Sequence, residues 1–496
     1  MNIVTYRQLG AASAAAIFLF ASGLPQSAPS GSSGASESAA PSAADSQIGG
    51  EKGSGGKGGI QQGPALPGAQ PISGNDRVYT ADQSSNTVTV INPATNEVLG
   101  TLPLGESRLD GVLGPVDDDQ VNVHGLGFSR DGRYLDAVSV TSNAVQIVDT
   151  ATNEVLHTYY VGRAPHEAFI SPDGAQVWTA VRGQDYVSVI DLATDTETRI
   201  ETGKGPSKVV FSPDGRTAYI NYIDLGELDV VDVPSRRITA TIELSAGGSA
   251  DLAVSPDGDE VWLGHPGAGK TTVVDTQDLI VKAVLDTGPR TNHPNFVTTA
   301  EGAFAWVTVG GLDQVKVYER GAGTPALVDT IETTGHAPHG IWPSPDNTRI
   351  YVALQKSDSV DVIDTATRTV IDTVRVGQDP QALVYVARSD AGTADGLTGQ
   401  GLDERVEQYP LTTTIDGAAG NATIRNVLGL DEVDVTAKGL SPDTAYDVYA
   451  LAGENATKIL RASSDKTGSI AEALAFVEFF DNEYDGVALT PADEKL

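Results

Sequence analysis

Residues Gly203–Asp232 read GKGPSKVVFSPDGRTAYINYIDLGELDVVD. Val209-Val210-Phe211 is short, apolar and β-branched, which suits a strand. Ser212-Pro213-Asp214-Gly215 is a turn, because proline pre-sets φ and glycine accepts the positive φ that closes it. Thr217 to Asn221 and Leu228 to Val231 are again strand-like, with a Gly-bearing loop between them. Arg237 to Leu244 supplies a fourth strand.

The same unit recurs along the chain. Asp131-Gly132, Asp173-Gly174, Asp214-Gly215, Asp257-Gly258, Glu301-Gly302 and Asp346-Asn347 follow one another at 41 to 45 residues. A second mark, an apolar strand ending in an acid or amide (tyrosine in the sixth copy), appears at Ile91-Asn92, Val148-Asp149, Ile190-Asp191, Val231-Asp232, Val274-Asp275, Val317-Tyr318 and Ile363-Asp364. Four short strands per repeat of this length, without helical periodicity, describe a β-propeller of seven blades. The first copy begins at Arg77-Val78-Tyr79 and lacks its innermost strand, and Ala382 to Val386 is a spare inner strand at the end of the array. Pairing the two closes the ring and removes the sheet edges an open array would leave. Trp178, Trp262 and Trp306 fall on repeat strands and read as blade core.

The Val-Ser-Pro-Asp-Gly turns, the strands Val78-Tyr79-Thr80-Ala81, Ala218-Tyr219-Ile220-Asn221 and Ile350-Tyr351-Val352-Ala353, and the Val-x-Val-Ile-Asp ends resemble the YVTN (YncE-like) propeller repeat. That family includes surface-layer-like and periplasmic proteins. The resemblance covers roughly residues 77–388 and implies the fold, while one fold of this kind serves many functions.

The chain has 496 residues, a net charge of −34 and no cysteine. The charge argues against nucleic acid as a partner, since a phosphate backbone requires a basic face. The absence of cysteine excludes disulfides, thiolate metal sites and a lipidated Cys anchor. Residues 1–28, with Arg7 ahead of an apolar Ala-rich stretch, read as a secretory signal. Residues 29–74 are rich in Gly, Ser, Ala and Pro and read as a disordered tether. The propeller then occupies 75–390 and a linker 391–402. Residues 403–496 alternate in β fashion at Ala422 to Val427, Val433 to Ala437, Ala445 to Leu451 and Ala475 to Phe480, and Gly439-Leu440-Ser441-Pro442 leads into Tyr446. This pattern predicts a small immunoglobulin- or fibronectin-like β-sandwich. The fold class is therefore all-β, a seven-bladed propeller followed by a sandwich, in a secreted or periplasmic protein with an envelope protein or small ligand as partner.

Gly264 to Thr271 matches a phosphate-binding P-loop letter for letter. Such a loop works through the N-terminus of a following helix. Here strand-like segments flank it on both sides, so it reads as a hairpin loop and no nucleotide is expected.

Histidine placement is the most informative chemistry. His124, His166 and His339 fall at one repeat position just before the innermost strand, where other copies carry Ser207, Ala250, Pro294 and Gln381. His293 lies one residue before that position and His336 three before His339, while His265 belongs to the hairpin loop above. Six of the seven histidines thus belong to one propeller face, and at least four ring the axis; His157 lies on an outer strand. Imidazoles converging on one cavity are how a copper, zinc or iron site is built. Nitrous oxide reductase and methanethiol-oxidase-like proteins resemble this in general plan. Glu167, Arg163 and Arg290 lie in the same loops, and a His/Glu/Arg pocket also suits lactone hydrolysis, in which a base activates water and a cation holds the oxyanion. Trp342 is placed to stack on a ligand or plug the channel. The long connection from Gly105 to Gln120 carries Asp117, Asp118 and Asp119, an acidic loop that could bind a ligand or cation.

Three functions follow from this reading. The first is an exported propeller that binds a ligand or partner protein through the His-rich face of its central channel. The second is a metal-dependent oxidoreductase, with copper as the expected metal, using His124, His166, His293 and His339, with His336 and His265 as further ligands. The third is a metal-free lactonase-type hydrolase with Glu167, Arg163 and Arg290 as candidate catalytic groups.

Overall fold

A computed structural model of the protein describes residues 70–105, 120, 122–387, 394–402, 405–427, 430–453 and 455–494. The leader-like segment, most of the tether and Asp117-Asp118-Asp119 lie outside these residues. Among them there is no helix long and apolar enough to cross a membrane.

Seven four-stranded antiparallel sheets surround an axis. The repeat read from Gly203 onward forms the fourth blade: Pro206–Phe211, Thr217–Tyr222, Glu227–Asp232 and Arg237–Glu243. The first blade joins the two ends of the array, with Pro380–Val386 seated inside Arg77–Asp82, Thr87–Asn92 and Glu97–Pro103. Tyr79 faces Val384 and Val78 faces Tyr385 across this seam.

Local chemistry accounts for the repeated turns. In the third, fourth, fifth and seventh blades a serine hydroxyl donates to the turn aspartate, as Ser171 to Asp173, Ser212 to Asp214, Ser255 to Asp257 and Ser344 to Asp346 at 2.5–2.7 Å. The glycine that follows adopts φ near +71° to +80° at Gly174, Gly215 and Gly258, a region that penalises any side chain. The aspartates ending the third strands fold the next turn: Asp191, Asp275 and Asp364 each accept two backbone amides. Between blades, apolar strand faces interleave around the fully buried Trp178, Trp262 and Trp306, as the repeat pattern anticipates.

Residues 406–491 form two packed four-stranded sheets. One comprises Val406–Pro410, Ala419–Val427, Leu430–Lys438 and Ile470–Val477; the other comprises Thr412–Thr413, Gly486–Pro491, Ala445–Ala452 and Asn455–Ser463. Ile424, Val435, Val448 and Phe479 are among the side chains filling the space between them. The Tyr446 hydroxyl accepts the Ser441 amide at 2.9 Å and closes the turn whose sequence announces it. The chain order differs from that of immunoglobulin domains, whose second and third strands lie in opposite sheets. Here Ala419–Val427 and Leu430–Lys438 are a hairpin within one sheet. The strand expected over Ala475 to Phe480 starts earlier and ends at Val477, because Phe480 gives its amide to the Asp431 carboxylate at 2.8 Å and turns away.

Residues 394–402, read from composition as a linker, lie against the first blade. Thr398 pairs with Thr101, and the Gln400 amide reaches the carbonyls of Ser85 and Gly105 at 2.8 and 2.7 Å. The sandwich itself docks on the loop face of the propeller through buried ions. Arg425 is fully buried and binds Asp358 through two nitrogens at 2.8 and 3.0 Å, and Glu432 and Asp434 at 3.2 and 3.4 Å. Lys356, also buried, contacts Asp434 and Glu472 at 2.8 Å and Asp379 at 3.2 Å.

Removing one partner of such a network strands its counter-charges away from water. Arg425→Met is expected to lower unfolding free energy by about 3–5 kcal/mol in denaturant titration of the full chain. Lys270→Met, which breaks the exposed pair with Asp286, should change it by less than about 1 kcal/mol. Equal effects would show that the buried network does not hold the two parts together.

Candidate functional site

Each innermost strand runs from a loop on the sandwich side to a turn on the opposite face. Six of the seven inner hairpins carry a β-bulge where that strand begins. A bulge interrupts the alternation of sides, so two consecutive residues turn inward and build two adjoining rings. Register identifies the members. Gly127, Phe169, Val210, Ala253, Asn295, Trp342 and Val384 all face the same position of their second strand. Counting back three places, the first ring is Gln381, His124, His166, Ser207, Ala250, Asn292 and His339. The second is Ala382, Gly125, Glu167, Lys208, Asp251, His293 and Gly340.

This assignment corrects the sequence alignment in the sixth blade. There the inner hairpin is two residues longer than its counterparts, with Thr299 pairing to Gly302. The turn signal Glu301-Gly302 is therefore displaced, and the ring position belongs to Asn292, not Pro294. His293 joins the second ring, beside the charged residues.

The first ring brings imidazoles into contact. The His124 ring centroid is 4.2 Å from that of His166 and 6.3 Å from that of His339, and His339 is 4.6 Å from His293. Neighbouring strands hold these rings in place. His166 Nδ1 donates to the Ser207 carbonyl at 2.9 Å, and His339 Nδ1 to the Gln381 carbonyl at 3.2 Å. The Asn292 amide donates to His339 Nε2 at 2.8 Å. The second ring is a chain of charge across four successive blades. Lys208 Nζ lies 3.0 Å from Glu167 Oε2 and 2.7 Å from Asp251 Oδ2, which in turn accepts from His293 Nδ1 at 3.2 Å. Arg182, at the end of a second strand, donates to Ser207 Oγ at 2.5 Å.

Burial sets the protonation states. It holds His124, His166 and His293 well below the ordinary imidazole range, helped by the charge of Arg182 or Lys208, and holds His339 down at about 3. All four are neutral at physiological pH. Burial also raises Asp251, against the pull of Lys208. Burial works against the Lys208 ammonium, but Asp251 and Glu167 outweigh it and raise its pKa. Glu167 Oε1 and His124 Nδ1 are buried and have no hydrogen-bond partner.

A pocket enters from the turn face, opposite the loops that carry the histidines. Pro213, Ser255 and Pro256 stand at its mouth, Phe169, Val210, Phe211 and Trp342 form an apolar wall, and Glu167, Lys208, Asp251 and His293 lie at its inner end. Trp342 also packs edge-on against Phe128, with centroids 5.8 Å apart. On the loop face, beside the sandwich, lies a crevice lined by Arg290, Asp313, His336, Asn421 and Lys438. Among the described residues, the apolar channel leads to the second ring.

Four of the six candidate histidines meet at the axis. The other two do not. His265 is buried within its hairpin, with Nδ1 on the Gly248 carbonyl at 3.0 Å and Nε2 on Thr272 at 2.8 Å, and it pairs with Lys270 across the loop that mimics a P-loop. His336 is half-exposed at the sandwich crevice and bonds Asp313 at 3.2 Å. Arg163 is exposed and bonds the Gly183 carbonyl. Arg290 lies in the crevice, 3.4 Å from Gln355. The cations that do approach the ring, Lys208 and Arg182, were passed over. Lys208 carried a legible signal, since it aligns with Glu167 and Asp251 in the repeat.

The four axial imidazoles should keep constant ring chemical shifts between pH 8 and pH 5 in nitrogen-resolved NMR. Because the unfolded chain protonates its histidines near pH 6.5 while the folded one does not, the axial histidines subtract from unfolding free energy as pH drops below about 6.5, opposed by Asp82 and Asp251, which burial raises to about 7. An axial imidazole titrating between pH 6 and 7 would contradict this.

Residues 136–378 match the profile of the family described as "Lactonase, 7-bladed beta-propeller". No curated protein matches the chain. Among solved structures, a functionally unknown protein from Desulfotomaculum acetoxidans superposes with a TM-score of 0.52 at 12% identity, covering 62% of this chain and 98% of that one. The periplasmic gluconolactonase PpgL of Pseudomonas aeruginosa gives 0.49 at 18% identity, covering 63% and 99%. Hydrazine synthase of Kuenenia stuttgartiensis gives 0.47 at 20%, covering 57% and 94%. At 12% identity the Desulfotomaculum acetoxidans protein shares the fold alone. The chain is a seven-bladed β-propeller whose residues 136–378 match a lactonase propeller family.

Proposed function

We propose that the protein, exported from the cytoplasm, binds a small cyclic ester in its axial channel and hydrolyses it. One observation carries this reading. Glu167 is anchored by one oxygen on Lys208, while its other oxygen is buried without a partner beside the neutral His124 and His166. A buried carboxylate oxygen without a donor is a costly arrangement, and a water with a proton to give would satisfy it. Glu167, or an adjacent imidazole, takes that proton as the water oxygen bonds to the ester carbonyl carbon. The negative charge then developing on the carbonyl oxygen is opposed by Lys208 and Arg182. Collapse breaks the ring C–O bond, and the proton returns to the departing alkoxide, leaving a hydroxy acid. The match of residues 136–378 to a lactonase propeller family supports the same reading.

The full chain, mixed with glucono-δ-lactone in a pH-stat, is expected to consume base faster than the spontaneous reaction. Glu167→Gln should lower kcat/KM by at least about 100-fold, within the usual range for a lost general base. Absence of turnover, together with absence of lactone binding by calorimetry, would remove this function. Binding without turnover would leave the channel as a ligand site and remove the hydrolytic step.

A further inference from the structure

Two groups of three ligating side chains occur at the axis: His124, His166 and Glu167, and Glu167, Asp251 and His293, with donor atoms within 4.8 Å of one another in each. They are not equivalent. In the second, the Lys208 ammonium already sits on both carboxylates at 3.0 and 2.7 Å, and His293 is tied to Asp251. A cation is built into that group as a side chain. In the first, Lys208 touches Glu167 alone, and only through Oε2. Glu167 Oε1 and His124 Nδ1 are buried without partners. His166 uses Nδ1 on the Ser207 carbonyl, which fixes the tautomer and leaves Nε2 as a lone pair. A backbone carbonyl accepting from the other ring nitrogen is the usual support of a metal-binding imidazole.

We infer that His124, His166 and Glu167 form a site for one first-row divalent cation, copper(II) or zinc(II). Two imidazoles and a carboxylate with an open fourth position form a donor set these ions accept. Bonds of about 2.1 Å require donors about 3.4 Å apart in a tetrahedral site, within reach of side-chain rotation from the present spacing. The ion binds on the Oε1 side of Glu167, away from Lys208 on Oε2, so one carboxylate separates the two cations. Ser207, whose carbonyl holds His166, also ties in Arg182 through its hydroxyl. The ion takes the Glu167 Oε1 position assigned to the attacking water, so metal retention and metal-free lactone turnover are read in separate assays.

The test uses the full chain without an affinity tag. It is loaded separately with copper(II) and zinc(II), dialysed, and assayed for bound ion by mass spectrometry and calorimetry. One ion per chain is expected. Affinity should fall at least 10-fold in His124→Gln and at least 100-fold in Glu167→Gln and His166→Gln. It should be unchanged in His336→Gln, which removes the half-exposed histidine on Asp313. Copper-loaded wild-type protein gives a second readout that needs no variant to fold: electron spin echo spectra should show two coordinated imidazoles. No retained ion, equal retention in the axial variants, or a coordinated imidazole count other than two would overturn the assignment.

Discussion

Closure of the ring is the constraint on which the rest depends. The strand Pro380–Val386 comes from the end of the repeat array and pairs with Arg77–Asp82 from its beginning. Without that pairing the first and last blades would expose edges, and the seven inner strands would share no axis. With it, residues far apart in sequence, from His124 to Gln381, are brought around one channel. Every contact of the candidate site crosses from one blade to another, so the site exists only in the closed ring.

At the axis the fold turns a steric necessity into a chemical one. Inner strands converge and crowd, and their bulges set two successive residues inward. Apolar side chains fill the turn-face half of the channel, including Phe169, Val210 and Trp342. The loop-face half carries polar groups that burial would ordinarily disfavour. They persist because they are paired: Lys208 with two acids, His166 and His339 with carbonyls, His293 with Asp251. Among the exceptions, which also include Asp251 Oδ1, Asn292 Oδ1 and Gln381 Oε1, Glu167 Oε1 and His124 Nδ1 lie side by side, where chemistry with a ligand or an ion has room to occur.

The sandwich is bound to this architecture as a fixed part. Arg425 and Lys356 place full charges in an interface that excludes water, and each is surrounded by acids from both sides of the boundary. Lys356 links the sandwich acids Asp434 and Glu472 to Asp379 in the loop preceding an inner strand. The sandwich thereby borders the loop face of the channel, and the apolar pocket lies on the turn face. Such buried networks impose geometry more dependably than they add stability.

The repeat unit, the number of blades and the seam between chain ends were legible in sequence, because a propeller blade is built from local turns whose chemistry recurs at a fixed period. The convergence of His124, His166, His293 and His339 was legible for the same reason, since equal positions in equal blades meet at the axis. Tertiary structure alone decided the remainder. Arg182 became a site residue because it lies beside groups from a neighbouring blade, a relation no local pattern encodes, whereas Lys208 is readable from its alignment with Glu167 and Asp251. His293 took its place in the charged ring because the sixth hairpin is longer. His265 and His336 left the cluster because each found partners in its own loop or at the sandwich boundary. The docking of residues 394–402 and the burial of Arg425 depend on surfaces that form only after each part has folded, and composition records neither.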